Sequence, residues 1–406
     1  MAVGPATFPK KMLPIAGFKL GTASAGVKTP GRKDLVIMEV CDGGTVAGVF
    51  TKNAFCAAPV QICKKHLDEA TPKFLVTNTG NANAGTGAEG YTDAISVCQS
   101  VASEMGCELA EVLPFSTGVI GEKLPVEKIV TAVPAAKEAL TEAGWDDAAE
   151  GIMTTDTRIK GASRKFEYNG QVISLTGISK GAGMIKPNMA TMLAYVATDA
   201  EVTSPLLHEL LSNAVNCSFN RITVDSDTST NDSCMLVATA KAGIKVSEEN
   251  QELLALFTAE LNALMQELAH AIVRDGEGAT KFVTITVESA ASEAEALSTA
   301  YDIAHSPLVK TALFASDPNW GRILAVVGRV GIENLNLEEL EIYLGDVRIV
   351  RDGGRDPEYT EDAGQAVMDQ EEFLIRVVLN RGECSETVWT TDLSHDYVSI
   401  NADYRS

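Results

Sequence analysis

Several features that mark particular protein classes are missing from this 406-residue sequence. No block of Lys or Arg interrupts its acidity: 55 Asp and Glu against 33 Lys and Arg give a formal net charge of −22. That charge repels phosphate backbones and anionic lipids, which argues against nucleic-acid and membrane-surface functions. No stretch stays apolar long enough to span a bilayer. The first residues show no basic segment followed by an apolar core, so we expect a cytoplasmic protein.

Metal-binding and redox patterns are also missing. The eight cysteines form no Cys-x-x-Cys pair, and the five histidines show no metal-ligand spacing. No metal site and no redox motif is therefore predicted. We interpret the cysteines as small buried side chains in a reduced compartment, and the histidines as structural residues.

The chain has enough apolar residues, 45%, to fill two or three cores. Asn169-Gly170, within an alternating segment, predicts a two-residue hairpin turn and therefore antiparallel sheet. We expect a first domain over residues 1–280 and a C-terminal α/β domain over 281–406. The predicted strands of the two domains cover residues 18–20, 34–40, 45–51, 73–77, 192–198, 221–224, 234–240, 282–288, 341–350, 373–379 and 387–391. The predicted helices cover residues 91–105, 126–140, 204–216 and 247–273.

Three short motifs resemble known sites without fitting them. Residues 85–90 match Gly-x-Gly-x-x-Gly, but residues 78–84 separate the strand from the first glycine, so we predict a glycine-rich turn. Residues 177–181 match Gly-x-Ser-x-Gly, yet the glycines and proline that follow forbid the helix of a nucleophile elbow, which indicates a loop serine. The oxygen-rich run 225–232 lacks the glycine and closing glutamate of a calcium loop, which favours a turn network.

The junction at residues 180–193 carries the clearest chemical signal. A glycine-rich approach and Pro187 lead to Thr191, whose hydroxyl opens an apolar strand. Taken alone, this could be a loop that enters a strand. The segment is, however, similar to the self-cleavage site of the glutamate N-acetyltransferase (ornithine acetyltransferase) family. Further segments that resemble the family are 78–84, 114–118, 153–157, 223–232, 276–281, 317–322 and 401–406.

The resemblance implies that Thr191 attacks the carbonyl carbon of Ala190 and that water then releases residues 1–190. The fragments 1–190 and 191–406 would remain together and assemble as a heterotetramer. The free amine of Thr191, with a reference pKa of about 7.7 to 8.0, would accept the proton of its own hydroxyl. The implied fold is α/β: a layered α-β-β-α domain of the DmpA/ArgJ-like type with mainly antiparallel sheet, plus the smaller C-terminal α/β domain.

The implied reaction moves acetyl from N2-acetylornithine to glutamate in arginine biosynthesis, without a cofactor. Thr117 and the Gly118 N–H would form the oxyanion hole. Lys180, Thr154, Glu277, Asn401 and Ser406 would bind substrate together with Thr191, Lys180 on a carboxylate and Glu277 on the ornithine ammonium. Whether Thr154 or Thr155 makes the contact stays open, as does the use of acetyl-CoA as a second donor.

Two alternative functions are compatible with the same sequence features. Self-processed amidases and aminopeptidases use such a nucleophile with water as the acceptor. A binding protein for small amino acids would stay uncut.

Overall fold

The structure is a computed structural model that describes residues 2–5, 11–186 and 192–403. The strands within these residues are β1 (Phe18–Ala23), β2 (Leu35–Val40), β3 (Thr45–Phe50), β4 (Phe74–Asn81), β5 (Val112–Val119), β6 (Lys160–Tyr168), β7 (Gln171–Lys180), β8 (Leu193–Thr198), β9 (Glu201–Val202), β10 (Ile222–Thr223), β11 (Ser233–Ala238), β12 (Lys245–Val246), β13 (Phe282–Ala290), β14 (Glu341–Leu344), β15 (Val347–Arg351), β16 (Gly354–Arg355), β17 (Glu372–Val378) and β18 (Cys384–Thr391). The helices are α1 (Ala58–Glu69), α2 (Gly87–Met105), α3 (Val126–Glu138), α4 (Trp145–Gly151), α5 (Ser204–Cys217), α6 (Gln251–Arg274), α7 (Glu293–His305), α8 (Pro307–Phe314), α9 (Trp320–Arg329), α10 (Glu361–Met368) and α11 (His395–Ala402).

The chain divides into two compact units. The first unit comprises Thr7–Asn220 and Asp227–Ile272, and the second comprises Met1–Ala6, Arg221–Ser226 and Val273–Ser406. The domain boundary expected after residue 280 falls inside the second unit. The second unit also includes the short strand β10, which comes from the middle of the sequence and pairs with β18.

The first unit is built on two stacked sheets. One has the strand order β1-β2-β4-β5 and the other β3-β11-β8-β7-β6, with the short pair β12-β9 beside them. Most neighbouring strands are antiparallel, whereas β4 with β5, β11 with β8 and β12 with β9 are parallel. The predicted hairpin joins β6 to β7, and both turn residues, Asn169 and Gly170, have the positive φ that such a turn requires.

Strand β2 shows how the layers are held together. Leu35 and Ile37 pack with side chains of α2 and α3, whereas Val36 and Met38 pack against the second sheet. Successive side chains of a strand point to opposite faces, so an apolar strand of this kind is buried on both sides. On the far side of the second sheet, the Cβ position of Gly177 approaches Leu264 and Leu268 of α6. The order helix, sheet, sheet, helix confirms the layered α/β fold.

The second unit has one mixed sheet with the strand order β10-β18-β13-β17-β14-β15-β16. Its core joins side chains of β13, β14, β15 and β17 to the apolar faces of α7, α8 and α9. The prediction of a single strand over residues 341–350 is wrong. Gly345, with φ +54°, allows a tight turn that makes a hairpin of β14 and β15.

The structure differs from the sequence analysis in two further respects. Helix α1 was not predicted, although Pro59 occupies its first turn, a position that proline favours because no N–H partner is lost there. The cysteines are not uniformly buried: Cys63, Cys98 and Cys234 are, but Cys217 is exposed. No helix within the described ranges combines the length and the apolar character needed to cross a membrane.

The close approach of β1 to α3 gives a test of the first unit. A Cβ atom at Gly21 would lie 2.1 Å from the carbonyl oxygen of Ala136 and 2.9 Å from the Leu140 nitrogen. Because both atoms are backbone, Gly21→Ala should destabilise the protein by about 1 to 3 kcal/mol in urea unfolding. Gly328→Ala in α9, where no atom lies within 4 Å of the added Cβ, is the control and should be neutral or slightly stabilising. Equal effects of both substitutions would contradict this packing.

Candidate active site

The structure brings Thr117 and Lys180 into direct contact. Lys180, the last residue of β7, donates from Nζ to Thr117 Oγ1 over 3.1 Å. The two residues are only 3% and 6% exposed, so Lys180 is a buried charge rather than the solvated surface charge that lysines usually are. Since Thr117 Oγ1 accepts this hydrogen bond, its own proton can point elsewhere. The arrangement turns the hydroxyl into a donor strengthened by a neighbouring positive charge.

The register of β7 with β8 relates this pair to the predicted cleavage site. Lys180 lies opposite Leu193 in the antiparallel ladder. In the sequence, Leu193 is two residues after Thr191. The predicted cleavage residues Ala190 and Thr191, and the predicted substrate residue Ser406, lie outside the described residues.

Gly118 occupies a position that a side chain cannot share. Its φ is +137°, and an added Cβ would lie 2.3 Å from the Gly80 carbonyl carbon and 2.5 Å from the Asn81 nitrogen. The clash arises because β4 and β5 run parallel and a bulge at Asn81 follows the pair of Gly80 and Gly118. Glycine is thus required for the end of β5 to lie against β4.

Contacts between the sheets fix β5 relative to β8. The ring of Phe115, two residues before Thr117, meets Tyr195 of β8 edge to face with 5.3 Å between centroids. The Tyr195 hydroxyl shares a 2.8 Å hydrogen bond with Thr77 Oγ1 of β4. Buried aromatic pairs of this geometry stabilise an interface by about 0.5 to 1.5 kcal/mol beyond their area. They place the end of β5 beside the start of β8.

Asp156, which the sequence did not single out, organises the backbone around Lys180. Its Oδ1 accepts from Lys160 Nζ at 2.6 Å and from the Gly181 N–H at 2.7 Å, and Oδ2 accepts from the Thr154 N–H at 2.9 Å. Burial alone would raise its pKa, but the charges of Lys160 and Lys180 and these hydrogen bonds hold the pKa well below the ordinary value. Asp156 is therefore a buried carboxylate that fixes the predicted substrate residue Thr154 and the chain beyond Lys180.

Asn231 is a second residue that the sequence did not single out. Its Nδ2 donates to the carbonyl oxygens of Ala82, at 2.6 Å, and Ser116, at 2.9 Å. Ser116 directly precedes Thr117, so Asn231 holds the end of β5 in place. The oxygen-rich composition of residues 225–232 and the family resemblance of residues 223–232 pointed to this region, but not to Asn231 itself. As expected for a turn network, Thr230 donates to Asn231 Oδ1, and Ser229 Oγ accepts from the Asn231 N–H.

The remaining described substrate candidates, Glu277 and Asn401, meet within the second unit. Asn401 Nδ2 of α11 donates to Glu277 Oε2 at 2.9 Å, and Glu277 is 8% exposed. Gly278 allows this approach: it has φ +70°, and an added Cβ would lie 2.5 Å from Ser394 Oγ. The carboxylate of Glu277 is thus largely desolvated, which is the environment that a cationic ligand group requires.

The other two motifs have structural roles. Gly85 and Gly87 have positive φ, and α2 begins at Gly87. The predicted glycine-rich turn over residues 85–90 is therefore confined to its start, and residues 87–90 form the first turn of α2, where a Cβ atom at Gly90 would clash with Thr86 Oγ1. Ser179 lies in β7, where its hydroxyl donates to the Leu268 carbonyl oxygen at 3.4 Å. The prediction of a loop serine is wrong because β7 continues to Lys180.

Loss of the buried ion pair of Asp156 and Lys160 should lower the free energy of unfolding markedly. Asp156→Asn leaves a buried lysine without its carboxylate and should cost about 3 to 5 kcal/mol in urea unfolding at neutral pH. The folded-state pKa of Asp156 is depressed, so its contribution is present above about pH 4 and is lost as the pH falls through the folded pKa. The difference between wild type and variant should therefore shrink below pH 4.

Asp147→Asn supplies the matched control. Asp147 pairs with Lys33 at 2.7 Å on the surface, where both side chains are more than a third exposed. Exposed pairs contribute about 0 to 1 kcal/mol, so this variant should stay close to wild type. A loss at Asp156 no larger than that at Asp147 would contradict the proposed buried pair.

Comparison with known proteins identifies the family. The sequence pattern of the ArgJ family matches residues 19–406. The arginine biosynthesis bifunctional protein ArgJ of Pseudomonas fluorescens is 56% identical over 407 residues, covering the whole of both chains. A crystal structure of the same-named protein from Bacillus halodurans is 38% identical, covers 50% of this chain and 95% of that one, and has a TM-score of 0.47. An ornithine acetyltransferase structure from Mycobacterium tuberculosis is 29% identical, covers 44% and 96%, and has a TM-score of 0.39. By the match over nearly its whole length, the chain belongs to the ArgJ family of arginine biosynthesis proteins.

Proposed function

We propose that this chain is a self-cleaving acetyltransferase that moves acetyl from N2-acetylornithine to glutamate through an acetyl ester on Thr191. The observation that carries the proposal is the buried contact of Lys180 with Thr117. Lys180 lies opposite Leu193 in the ladder of β7 with β8, and Leu193 is two residues after Thr191 in the sequence. This link between Thr117 and the strand that follows Thr191 supports the role of Thr117 as an oxyanion donor. Membership of the ArgJ family supports the same function.

Self-cleavage is the first step. Thr191 Oγ attacks the carbonyl carbon of Ala190, the C–N bond breaks, and the hydroxyl proton passes to the Thr191 nitrogen. The resulting ester is hydrolysed by water, which leaves an Ala190 carboxylate and a free Thr191 amine. Thr117 Oγ1 and the Gly118 N–H donate to the oxyanion of the tetrahedral intermediate. Such donors contribute about 2.7 to 4 kcal/mol each to transition-state stabilisation.

Acetyl transfer repeats this chemistry on the substrate. The Thr191 amine takes the hydroxyl proton while Oγ attacks the acetyl carbon, and the same proton then goes to the departing α-nitrogen of ornithine. The glutamate amine attacks the acetyl ester and regenerates the threonine hydroxyl. Because Lys180 donates to Thr117, its charge strengthens the oxyanion donor in both half-reactions.

Substrate recognition divides between cationic and anionic groups. Thr154 or Thr155, Lys180 and Ser406 bind the backbone of the amino acid, and Glu277 with Asn401 binds the ornithine ammonium. The burial of Glu277 supports this assignment, since a desolvated carboxylate binds a cation strongly. The protein acts in the cytoplasm as a heterotetramer of the two fragments. The relatives are named bifunctional, which supports a second activity beside acetyl transfer from acetylornithine.

Mass spectrometry and a glutamate-dependence assay test the nucleophile and the acceptor. Purified wild type should yield two masses, for residues 1–190 and 191–406. It should release ornithine from acetylornithine continuously only when glutamate is present, because without glutamate the reaction stops once each Thr191 carries an acetyl group. Thr191→Ala should remain uncut and inactive because it lacks the attacking oxygen. Thr198→Ala, at the other end of β8, is the control and should be cut. Two fragments from Thr191→Ala would refute the processing step, and ornithine release that ignores glutamate would favour an amidase.

Gly118→Ala tests the oxyanion hole. The new Cβ would displace the end of β5 from Gly80, and with it the Gly118 N–H. Since one misplaced donor typically costs about a hundredfold to a thousandfold in kcat, cleavage and transfer should both slow by that factor. Gly121→Ala changes a glycine with φ +83° that has no atom within 4 Å of the added Cβ, and should retain activity. Similar rates for the two variants would contradict the role of Gly118.

A further inference from the structure

Three chain segments of the second unit meet at one edge of its sheet. Strand β10 runs parallel to β18, with Thr223 opposite Thr390, whereas β13 runs antiparallel to β18. The chain after β10, the chain after β18 and the chain before β13 therefore lie at the same edge. In that order, these segments carry Asp225, helix α11 and Glu277.

Helix α11 makes little hydrophobic contact. Each of its eight residues lies within the described ranges, none is buried, and only Tyr397 is not exposed. Its two large aliphatic side chains, Val398 and Ile400, are 62% and 39% exposed. Packing of an apolar face normally supplies most of the stability of a helix in a protein. The position of α11 therefore depends on polar contacts.

Two of these polar contacts lead to Glu277 and the residue after it. At the start of the helix, Ser394 Oγ donates to the Gly278 carbonyl oxygen at 2.6 Å and accepts from the Tyr397 N–H at 3.3 Å. A Cβ atom at Gly278 would lie only 2.5 Å from the Tyr397 nitrogen, so the two segments touch. Near the end of the helix, Asn401 Nδ2 donates to Glu277 Oε2 at 2.9 Å. One oxygen of the Glu277 carboxylate is therefore held by α11.

The side chain of Tyr397 makes a further polar contact of the helix. Its hydroxyl donates to Oδ2 of Asp225, two residues after β10, at 3.2 Å. Burial lowers the pKa of Lys310 in α8 to about 8, and the charges of Asp392 and Asp225 act in the opposite direction. Lys310 is therefore largely protonated at pH 7, and its charge stabilises the Asp225 carboxylate. A hydrogen bond to an ionised acceptor is stronger than one between neutral groups.

Tyr397 and Asn401 act on the same side of the helix. They are four residues apart, so their side chains lie on one face of α11. Asn401 Nδ2 also donates to the Tyr397 carbonyl oxygen at 3.0 Å. A rotation of α11 that moved the Tyr397 side chain away from Asp225 would therefore also move the Asn401 amide away from Glu277.

We propose that Tyr397 and Asp225 are positioning residues that determine specificity for the cationic end of the substrate. Their hydrogen bond fixes the rotation of α11, so that the Asn401 amide holds the Glu277 carboxylate in the orientation that binds the ammonium group. This inference rests on the proposed function, in which Glu277 binds the ornithine ammonium. Without the hydrogen bond, the Glu277 side chain gains rotamers that it must lose again when the substrate binds. Ordering one such side chain weakens binding by about twofold to tenfold.

The test compares Tyr397→Phe with Tyr343→Phe in the full-length chain. The Tyr343 hydroxyl also donates to a carboxylate of the second unit, Glu341 Oε2 at 2.7 Å, but β14 is separated from β18 by β13 and β17. The two acetyl donors are N2-acetylornithine and N2-acetylnorvaline, which has the same carbon chain without the terminal amine. Measurements are kcat and KM for acetyl transfer to glutamate at pH 7, the self-cleavage rate by intact mass, and urea unfolding.

The ratio of kcat/KM for the two donors separates positioning from a general structural role. Tyr397→Phe should raise KM for N2-acetylornithine by about twofold to tenfold and leave kcat/KM for N2-acetylnorvaline and the cleavage rate unchanged. Asp225→Asn keeps an acceptor oxygen but removes its charge, so it should lower the ratio in the same direction. Tyr343→Phe should keep the wild-type ratio. An equal loss for both donors in Tyr397→Phe, or a wild-type ratio in both Tyr397→Phe and Asp225→Asn, overturns the inference.

Glu277→Gln shows whether the effect passes through this carboxylate. This variant should lose most of the preference for N2-acetylornithine, and adding Tyr397→Phe to it should lower the ratio no further. A further fall as large as that in the wild-type background overturns the inference. A wild-type ratio in Glu277→Gln would instead overturn the proposed role of Glu277, and absence of acetyl transfer by the wild type would overturn the proposed reaction.

Discussion

The hydrogen bonds of the buried Asp156 carboxylate hold together the polar centre of the first unit, which consists of Asp156, Lys160, Lys180 and Thr117. The carboxylate joins three pieces of chain: the segment at Thr154, the start of β6 through Lys160, and the chain beyond β7 through the Gly181 N–H. Because charged groups are costly to bury without partners, these contacts determine one another's geometry. Lys180 is held at the same place, and from there it reaches Thr117 in the other sheet.

The layered fold explains why the proposed reacting groups come from distant parts of the sequence. Thr117 lies near the end of β5 in one sheet, whereas Lys180 and Leu193 belong to the other. The two sheets pack through apolar faces, and the Phe115 ring against Tyr195 fixes their mutual position close to the polar centre. Backbone donors on rigid strand ends require little reorganisation during the reaction, which is the condition for effective oxyanion stabilisation.

The sequence predicted the local features well because they depend on local physics. Asn169-Gly170 predicts its turn since both positions need positive φ, and the apolar runs of β2, β8 and β11 are long enough to be recognised. Asp156, Asn231 and Asp232 could not be identified in this way. Each acts by accepting or donating to backbone groups far away in the chain, and only the tertiary fold reveals such partners. Lys180 and Glu277 were named through the family resemblance, while their burial became visible only in the structure.

The same dependence on tertiary structure applies to the oxygen-rich run 225–232, whose parts separate into different units. Asp225 accepts from the Tyr397 hydroxyl within the second unit, whereas Asn231 and Asp232 fasten strand ends of the first. Composition alone describes this run as a single loop, yet its side chains act on two separate structures. The contacts made by Asn231, Asp156 and Lys180 all belong to the uncut chain. In the proposed mechanism, self-cleavage and acetyl transfer need the same oxyanion donors, so the folded precursor would already contain the site that the mature enzyme uses.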